Sequence, residues 1–335
     1  MTTFADRLDA AVAAKASPVC VGIDPQLELL PAPFADRAAS RRREVAAAAV
    51  ESFCDELLDA VADLVAVVKP QVAFFERLGP PGWAVLERVV RAARARGLLV
   101  IADAKRGDIA STAAAYADYF LGDPGADRGE EAPGEPLVAP PRGELAGLGA
   151  DAMTVNPYLG ADSLEPFLRH VARGKGFYLL AKTSNPGSRD LQDLVASRPG
   201  SDAEGNRAVP VYVRAAELAA RAGEPFRGAD GFSPVGIVVG ATTPDQAAAL
   251  RSAHPSLPFL VPGYGAQGAG PDEVTAAFDG RGRGAIVNAS RSLLYAYRAP
   301  RHRDLGARRW AEATRRECLA MRDAIADALD RRAAR

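Results

Sequence analysis

The sequence predicts an α/β fold, a (β/α)8 TIM barrel, as a single domain over residues 1–335. Eight short apolar runs alternate with helix-like stretches along the chain, which is the order a parallel barrel requires. No second composition regime interrupts that rhythm. Polar residues also follow directly after most of the runs, where a barrel carries its functional loops.

The apolar runs are 18–24, 64–70, 98–103, 151–156, 177–183, 235–240, 258–263 and 285–288. Each is rich in Val, Ile, Leu or Phe and has the length of a buried strand. Nearly continuous apolarity fits parallel strands covered on both faces. Between them, residues 41–61 place Val45, Ala49, Val50, Phe53, Cys54, Leu57 and Val61 on one stripe. Residues 83–96 repeat the pattern, and Gly97 stands where a C-terminal cap falls. Shorter helices are expected over 211–221 and 244–252. The first 15 residues read as an amphipathic helix, because Asp6, Arg7 and Asp9 interrupt any apolar leader. Near the C-terminus, Trp310, Thr314, Cys318, Met321, Ile325 and Leu329 recur at helical spacing and predict a helix on the outside of the barrel.

Two segments break the alternation. Residues 122–149 are dense in Gly, Pro and acidic side chains and are expected to form a surface insertion within the domain. Residues 197–209 form a second polar loop. An open doubly wound sheet is the alternative architecture, but Val21-Gly22-Ile23-Asp24-Pro25 stands where a dinucleotide-binding glycine fingerprint belongs.

Composition excludes several functions. A net charge of −1 gives no global field for nucleic acid or an anionic membrane, so neither is expected as a partner. No stretch approaches the roughly 20 apolar residues that span a bilayer. Cys20, Cys54 and Cys318 are scattered without a CxxC pair, as expected of reduced thiols in a cytoplasmic protein. His170, His254 and His302 lie in no metal-ligand or triad spacing, so no metal site is expected.

The chemistry gathers in Ile101-Ala102-Asp103-Ala104-Lys105-Arg106-Gly107-Asp108-Ile109. Strand side chains alternate faces, so Asp103 and Lys105 project the same way. At a barrel's C-terminal rim, Asp103, Lys105 and Asp108 are expected to sit close together, with the lysine ammonium between carboxylates. Such an ammonium is a poor Schiff-base nucleophile but a good proton donor. A surface salt-bridge cluster is the alternative reading of these charges. Asp24 and Lys69 close the first two strands, and Thr183-Ser184-Asn185-Pro186-Gly187 follows the fifth. Pro262-Gly263-Tyr264-Gly265-Ala266-Gln267-Gly268 and Ser290-Arg291-Ser292 follow the last two. Glycine-rich backbone plus an arginine in these loops suggests a phosphate site.

These motifs, in this order, resemble the orotidine-5′-phosphate decarboxylase family in its longer bacterial form. Asp103-Ala104-Lys105-Arg106-Gly107-Asp108-Ile109 is similar to the family's DxKxxD signature, and Val68-Lys69-Pro70 and Val239-Gly240-Ala241-Thr242 add to it. The resemblance implies conversion of orotidine 5′-monophosphate to uridine 5′-monophosphate in a homodimer, without a cofactor. It implies that Lys105 is the general acid, that Asp103 lies beside the substrate carboxylate, and that Asp108, Ile109 and Thr112 complete the neighbouring subunit's site. Asp24 and Lys69 match the ribose ligands, Ser184 the pyrimidine contact, and Gln267 and Arg291 the phosphate grip. A magnesium-dependent sugar-phosphate decarboxylase or aldolase on the same barrel is the alternative. The lysine closing the second strand, in place of an acidic ligand, argues against it.

Overall fold

A computed structural model describes residues 2–124, 146–197, 208–265 and 268–334. Eight parallel strands close into a barrel in sequence order: β1 Val19–Ile23, β2 Val67–Pro70, β3 Leu99–Arg106, β4 Ala152–Val155, β5 Gly176–Lys182, β6 Val235–Val239, β7 Phe259–Pro262 and β8 Ala285–Ala289. β8 returns to β1 in the register Val19 with Val287 and Cys20 with Asn288. All eight expected runs form strands.

The ends shift for local reasons. β3 runs on to Arg106, beyond the expected stop at Asp103, because its register against β4 slips between Ala102 and Arg106. Helices α1 Phe4–Lys15, α2 Arg43–Val61, α3 Pro80–Ala95, α4 Ala110–Leu121, α5 Glu165–Val171, α6 Val211–Gly223, α7 Pro244–Ala253, α8 Pro271–Thr275 and α9 Trp310–Ala333 surround the strands. α3 starts three residues early because Pro80 and Pro81 occupy its first positions, where a missing N–H costs nothing.

Alternation along the strands separates two cores. Cys20, Val67, Ile101, Ala152, Tyr178, Val238, Leu260 and Ile286 fill the barrel interior. Phe4 and Leu8 of α1 close its N-terminal end, with the Phe4 ring edge-on to Tyr178 at 6.1 Å. The intervening residues face the helix layer. There α9 buries Trp310 against Phe53, with ring centroids 4.7 Å apart, so its apolar stripe is an intramolecular contact. The three cysteines are free and buried. Among the described residues no helix is long and apolar enough to cross a membrane.

Residues 125–145 of the expected insertion lie outside the described residues. Its flanks are firmly joined: Gly147 N–H donates to Asp123 O at 2.9 Å, and Gly149 N–H donates to Gly122 O at 3.0 Å. Of the second polar loop, residues 198–207 lie outside the described set. Its flanks form a short antiparallel ribbon, Val195–Ala196 with Val209–Pro210.

Candidate active site

The interior is apolar near α1 and becomes charged at the carboxyl ends of the strands. Lys69 of β2 and Asp103 of β3 are only 4% and 5% exposed. Asp103 is the hub. Its Oδ2 accepts from Lys69 Nζ and from Gln71 Nε2 at 3.1 Å. Its Oδ1 accepts from Lys105 Nζ at 2.5 Å and from Thr154 Oγ1 at 2.9 Å. Burial alone raises a carboxyl's pKa, but Lys69 and Lys105 outweigh it and hold Asp103 well below the usual carboxylate range. Burial likewise works against the Lys69 ammonium, and Asp103 and Asp24 overcome it, so its pKa is raised. Beneath the array, burial pushes the Cys20 thiol up to about 12, which removes it as a thiolate nucleophile.

Lys105 meets Asp103 through a distorted backbone. Its φ is 48°, in the left-handed region that costs a non-glycine residue roughly 1–2 kcal/mol. The Lys105 N–H donates to Thr154 Oγ1 at 2.9 Å, and that same hydroxyl donates to Asp103. One threonine on β4 thus fixes both the strained backbone and the carboxylate. The Lys105 side chain keeps 44% of its surface open toward the mouth.

Asp108 departs from expectation. Among the described residues no ion pair joins it to Lys105; its Oδ1 accepts from the Ile109 N–H at 2.7 Å. Within one chain the array is therefore a carboxylate between two ammoniums, Lys69–Asp103–Lys105, and not an ammonium between two carboxylates. At Gly107 the chain passes close to the loop after β4, where a Cβ would stand 3.0 Å from Asn156 O, and Asp108 follows half-buried. Ile109, 56% exposed, and the exposed Thr112 come after it.

The other expected residues stand around the rim. Asp24 directly follows β1, and burial raises its carboxyl pKa against the pull of Lys69. Its Oδ1 and the Asn288 Oδ1 of β8 are buried acceptors without a partner among the described residues. Beside them, a Cβ on Gly22 would fall 2.0 Å from Ser290 Oγ and 3.0 Å from Asn288 Oδ1, so the glycine leaves room for these two side chains. Ser184 rests against Gly240, where a Cβ would lie 2.8 Å from its backbone. Arg291 is exposed at the start of the short helix Arg291–Leu294. Gln267 lies outside the described residues. Nearby Gly265, at φ 72°, approaches Ser292, so the loops after β7 and β8 adjoin.

Gln71, Thr154, Asn288 and Tyr295 were not singled out from sequence. Tyr295 donates to Asp24 O at 2.9 Å and accepts from the Gln26 N–H at 2.7 Å. Position at a strand's carboxyl end was the available signal for Thr154 and Asn288. Among the described residues no group of three or more His, Cys, Asp or Glu is arranged to hold a metal ion. A groove of about 720 Å³, lined by Arg251, Asp272 and Arg331, opens between helices outside the barrel. Its buried Arg251 is spent on backbone carbonyls, with no buried carboxylate among the described residues opposite it as at the mouth, which remains the candidate site.

The family described as orotidine 5′-phosphate decarboxylase / HUMPS matches residues 17–128 and 137–302. The chain belongs to this family. It is 46% identical over 299 residues to the orotidine 5′-phosphate decarboxylase of Rhodopirellula baltica, covering 89% of this chain and 90% of that one. To the orotidine 5′-phosphate decarboxylase of Roseiflexus castenholzii it is 42% identical over 327 residues, covering 97% and 98%. Among solved structures, the Leishmania donovani OMP decarboxylase superposes with a TM-score of 0.64 at 35% identity, covering 97% of this chain and all of that one. Lys69, Asp103 and Lys105 lie inside the first matched segment, and Thr154, Ser184 and Arg291 inside the second.

Proposed function

We infer that this chain decarboxylates orotidine 5′-monophosphate to uridine 5′-monophosphate in pyrimidine biosynthesis. The observation that carries this reading is the Lys69–Asp103–Lys105 array, two members buried and Lys105 open, at the mouth of a barrel belonging to this family. The bond from C6 to the carboxylate breaks, carbon dioxide leaves, and the electron pair stays on C6. Lys105, the open ammonium of the array, stabilises that charge and passes its proton to C6. Asp103 lies beside the departing carboxylate. Asp24 and Lys69 hold the ribose, Ser184 meets the pyrimidine edge, and Gln267 and Arg291 grip the phosphate. Binding at the remote phosphate positions the reacting end. The scheme requires neither metal nor organic cofactor.

The reading includes a homodimer. Ile109 and Thr112 are exposed beside the half-buried Asp108, and Tyr158 (78% exposed) and Leu159 add apolar surface. A second copy covering this edge would bring Asp108 to its neighbour's lysine, supplying the second carboxylate that one chain lacks. Buried free thiols accord with a cytoplasmic setting.

The direct test follows loss of the ultraviolet absorbance of orotidine 5′-monophosphate with purified protein, with and without excess EDTA. Turnover unaffected by EDTA is expected. No turnover refutes the reading, and turnover of a sugar phosphate abolished by EDTA favours the magnesium-dependent alternative. Mixing inactive Lys105→Ala and Asp108→Ala proteins tests the shared site: activity should return, because one interface restores an intact pair. No recovery after subunit exchange counts against it.

A further inference from the structure

We propose that Gln192 is a positioning residue that fixes the pyrimidine-facing loop after β5. The proposal rests on the reading above, in which Ser184 meets the base. After Lys182 the chain runs through Thr183, Ser184 and Asn185, turns at Pro186–Ser188, and returns as the short helix Arg189–Gln192. That return brings Gln192 back onto Thr183. Gln192 Oε1 accepts from the Thr183 N–H at 2.9 Å, and Gln192 Nε2 donates to Thr183 Oγ1 at 2.8 Å. The Thr183 hydroxyl proton then goes to Asn185 Oδ1 at 2.7 Å. One amide therefore holds both the backbone and the side chain of the residue preceding Ser184, and the threonine passes the constraint to the residue following it.

The return limb is anchored from below. Lys182 Nζ, with its side chain 1% exposed, donates to Asp193 Oδ1 at 2.6 Å and to Ser188 Oγ at 3.3 Å. Its ammonium also lies 5.9 Å from the Tyr212 ring centroid. On the opposite side, Gly240 packs on the Ser184 backbone, and Thr242 Oγ1 donates to Ser184 O at 3.4 Å. Ser184 is thus fixed before, behind and beneath, while no hydrogen bond to its own hydroxyl is made within the described residues. That hydroxyl springs from a fixed backbone and is available. A loop built this way recognises a base edge by placement, since its hydrogen-bonding group loses little freedom on binding.

Gln192→Leu separates this role from general folding support. Two probes are compared by calorimetry: uridine 5′-monophosphate, which carries the base, and ribose 5-phosphate, which does not. Loss of the clamp should weaken the nucleotide about tenfold, the effect of one or two hydrogen bonds. Ribose 5-phosphate affinity should stay within about twofold, because its proposed ligands belong to other loops. Thr183→Val should reproduce the selective loss, and Thr183→Ser, which keeps the hydroxyl, should restore nucleotide affinity. These threonine variants decide the matter if Gln192→Leu fails to fold. Equal weakening of both probes, or no weakening of either, overturns the positioning role. Wild-type protein that neither binds the nucleotide nor decarboxylates its precursor would instead sink the functional reading itself.

Discussion

Replacing Asp103 by Asn should cost far more than one ordinary hydrogen bond. The substitution keeps the shape but removes the charge between Lys69 and Lys105, and an amide nitrogen faces a donor where an oxygen accepted. Lys105 can turn toward solvent, but Lys69 is buried and is left with Asp24 as its remaining nearby carboxylate. Leaving one member of a buried pair uncompensated costs about 3–5 kcal/mol. That is a large part of a typical domain's total of about 5–15 kcal/mol. Urea titration at pH 7 should therefore show a clear drop in midpoint. Adding Lys69→Met should recover about half of the loss, because the orphaned ammonium is gone and a side chain of similar length fills its place. The pH dependence has a definite sign. Asp103 has a lower pKa folded than unfolded, so its stabilisation is complete above about pH 4 and is lost as pH falls toward the folded value. The gap between wild type and Asp103→Asn should shrink on acidification. A loss below about 1 kcal/mol at pH 7, or a double variant no more stable than the single one, would refute this account of the array.

Three further outcomes follow from other contacts. Lys105→Ala should lower turnover by at least about 10³-fold while uridine 5′-monophosphate binding stays measurable by calorimetry; unchanged turnover removes Lys105 from the chemistry. Gly22→Ala should destabilise the rim by about 1–3 kcal/mol and weaken nucleotide binding, because the new methyl overlaps Ser290 Oγ; wild-type melting and affinity would contradict the close approach. Arg251→Leu should cost about 3–5 kcal/mol in denaturant unfolding while turnover per folded molecule is unchanged, since its buried guanidinium bonds the carbonyls of Ala277, Pro255, Leu257 and Gly284 and faces the Phe259 ring at 3.9 Å; a fall in turnover of the folded variant would tie it to the site.

The strands were readable because a strand covered on both faces must be apolar throughout, and those runs stand out even in one sequence. Asp103 and Lys105 were readable together because the same-face rule matches the final contact, although a register slip and a left-handed residue produce it. The slip itself left no mark in the residue types, so the end of β3 was placed short. Asp108 was drawn into the array because spacing says nothing of the path the chain takes past Asn156 on another loop. Thr154 was hidden for a related reason: a single hydroxyl in Ala152–Val155 does not disturb the hydrophobic pattern, and its work depends on β3 lying beside it. Gln192 could be found only after the chain folded back on Thr183. Local pattern thus reported which side chains line the barrel, while partners fixed by tertiary contact stayed invisible.

The paired backbone hydrogen bonds that tie Asp123 to Gly147 and Gly122 to Gly149 have a practical consequence. Whatever length of chain runs between these two points, its beginning and end are held together by the barrel itself. Closing a longer or shorter excursion at such a junction changes the free energy only logarithmically with length. The position is a natural docking port for protein engineering, where a fluorescent reporter or an affinity handle can be spliced in without asking β4 to move.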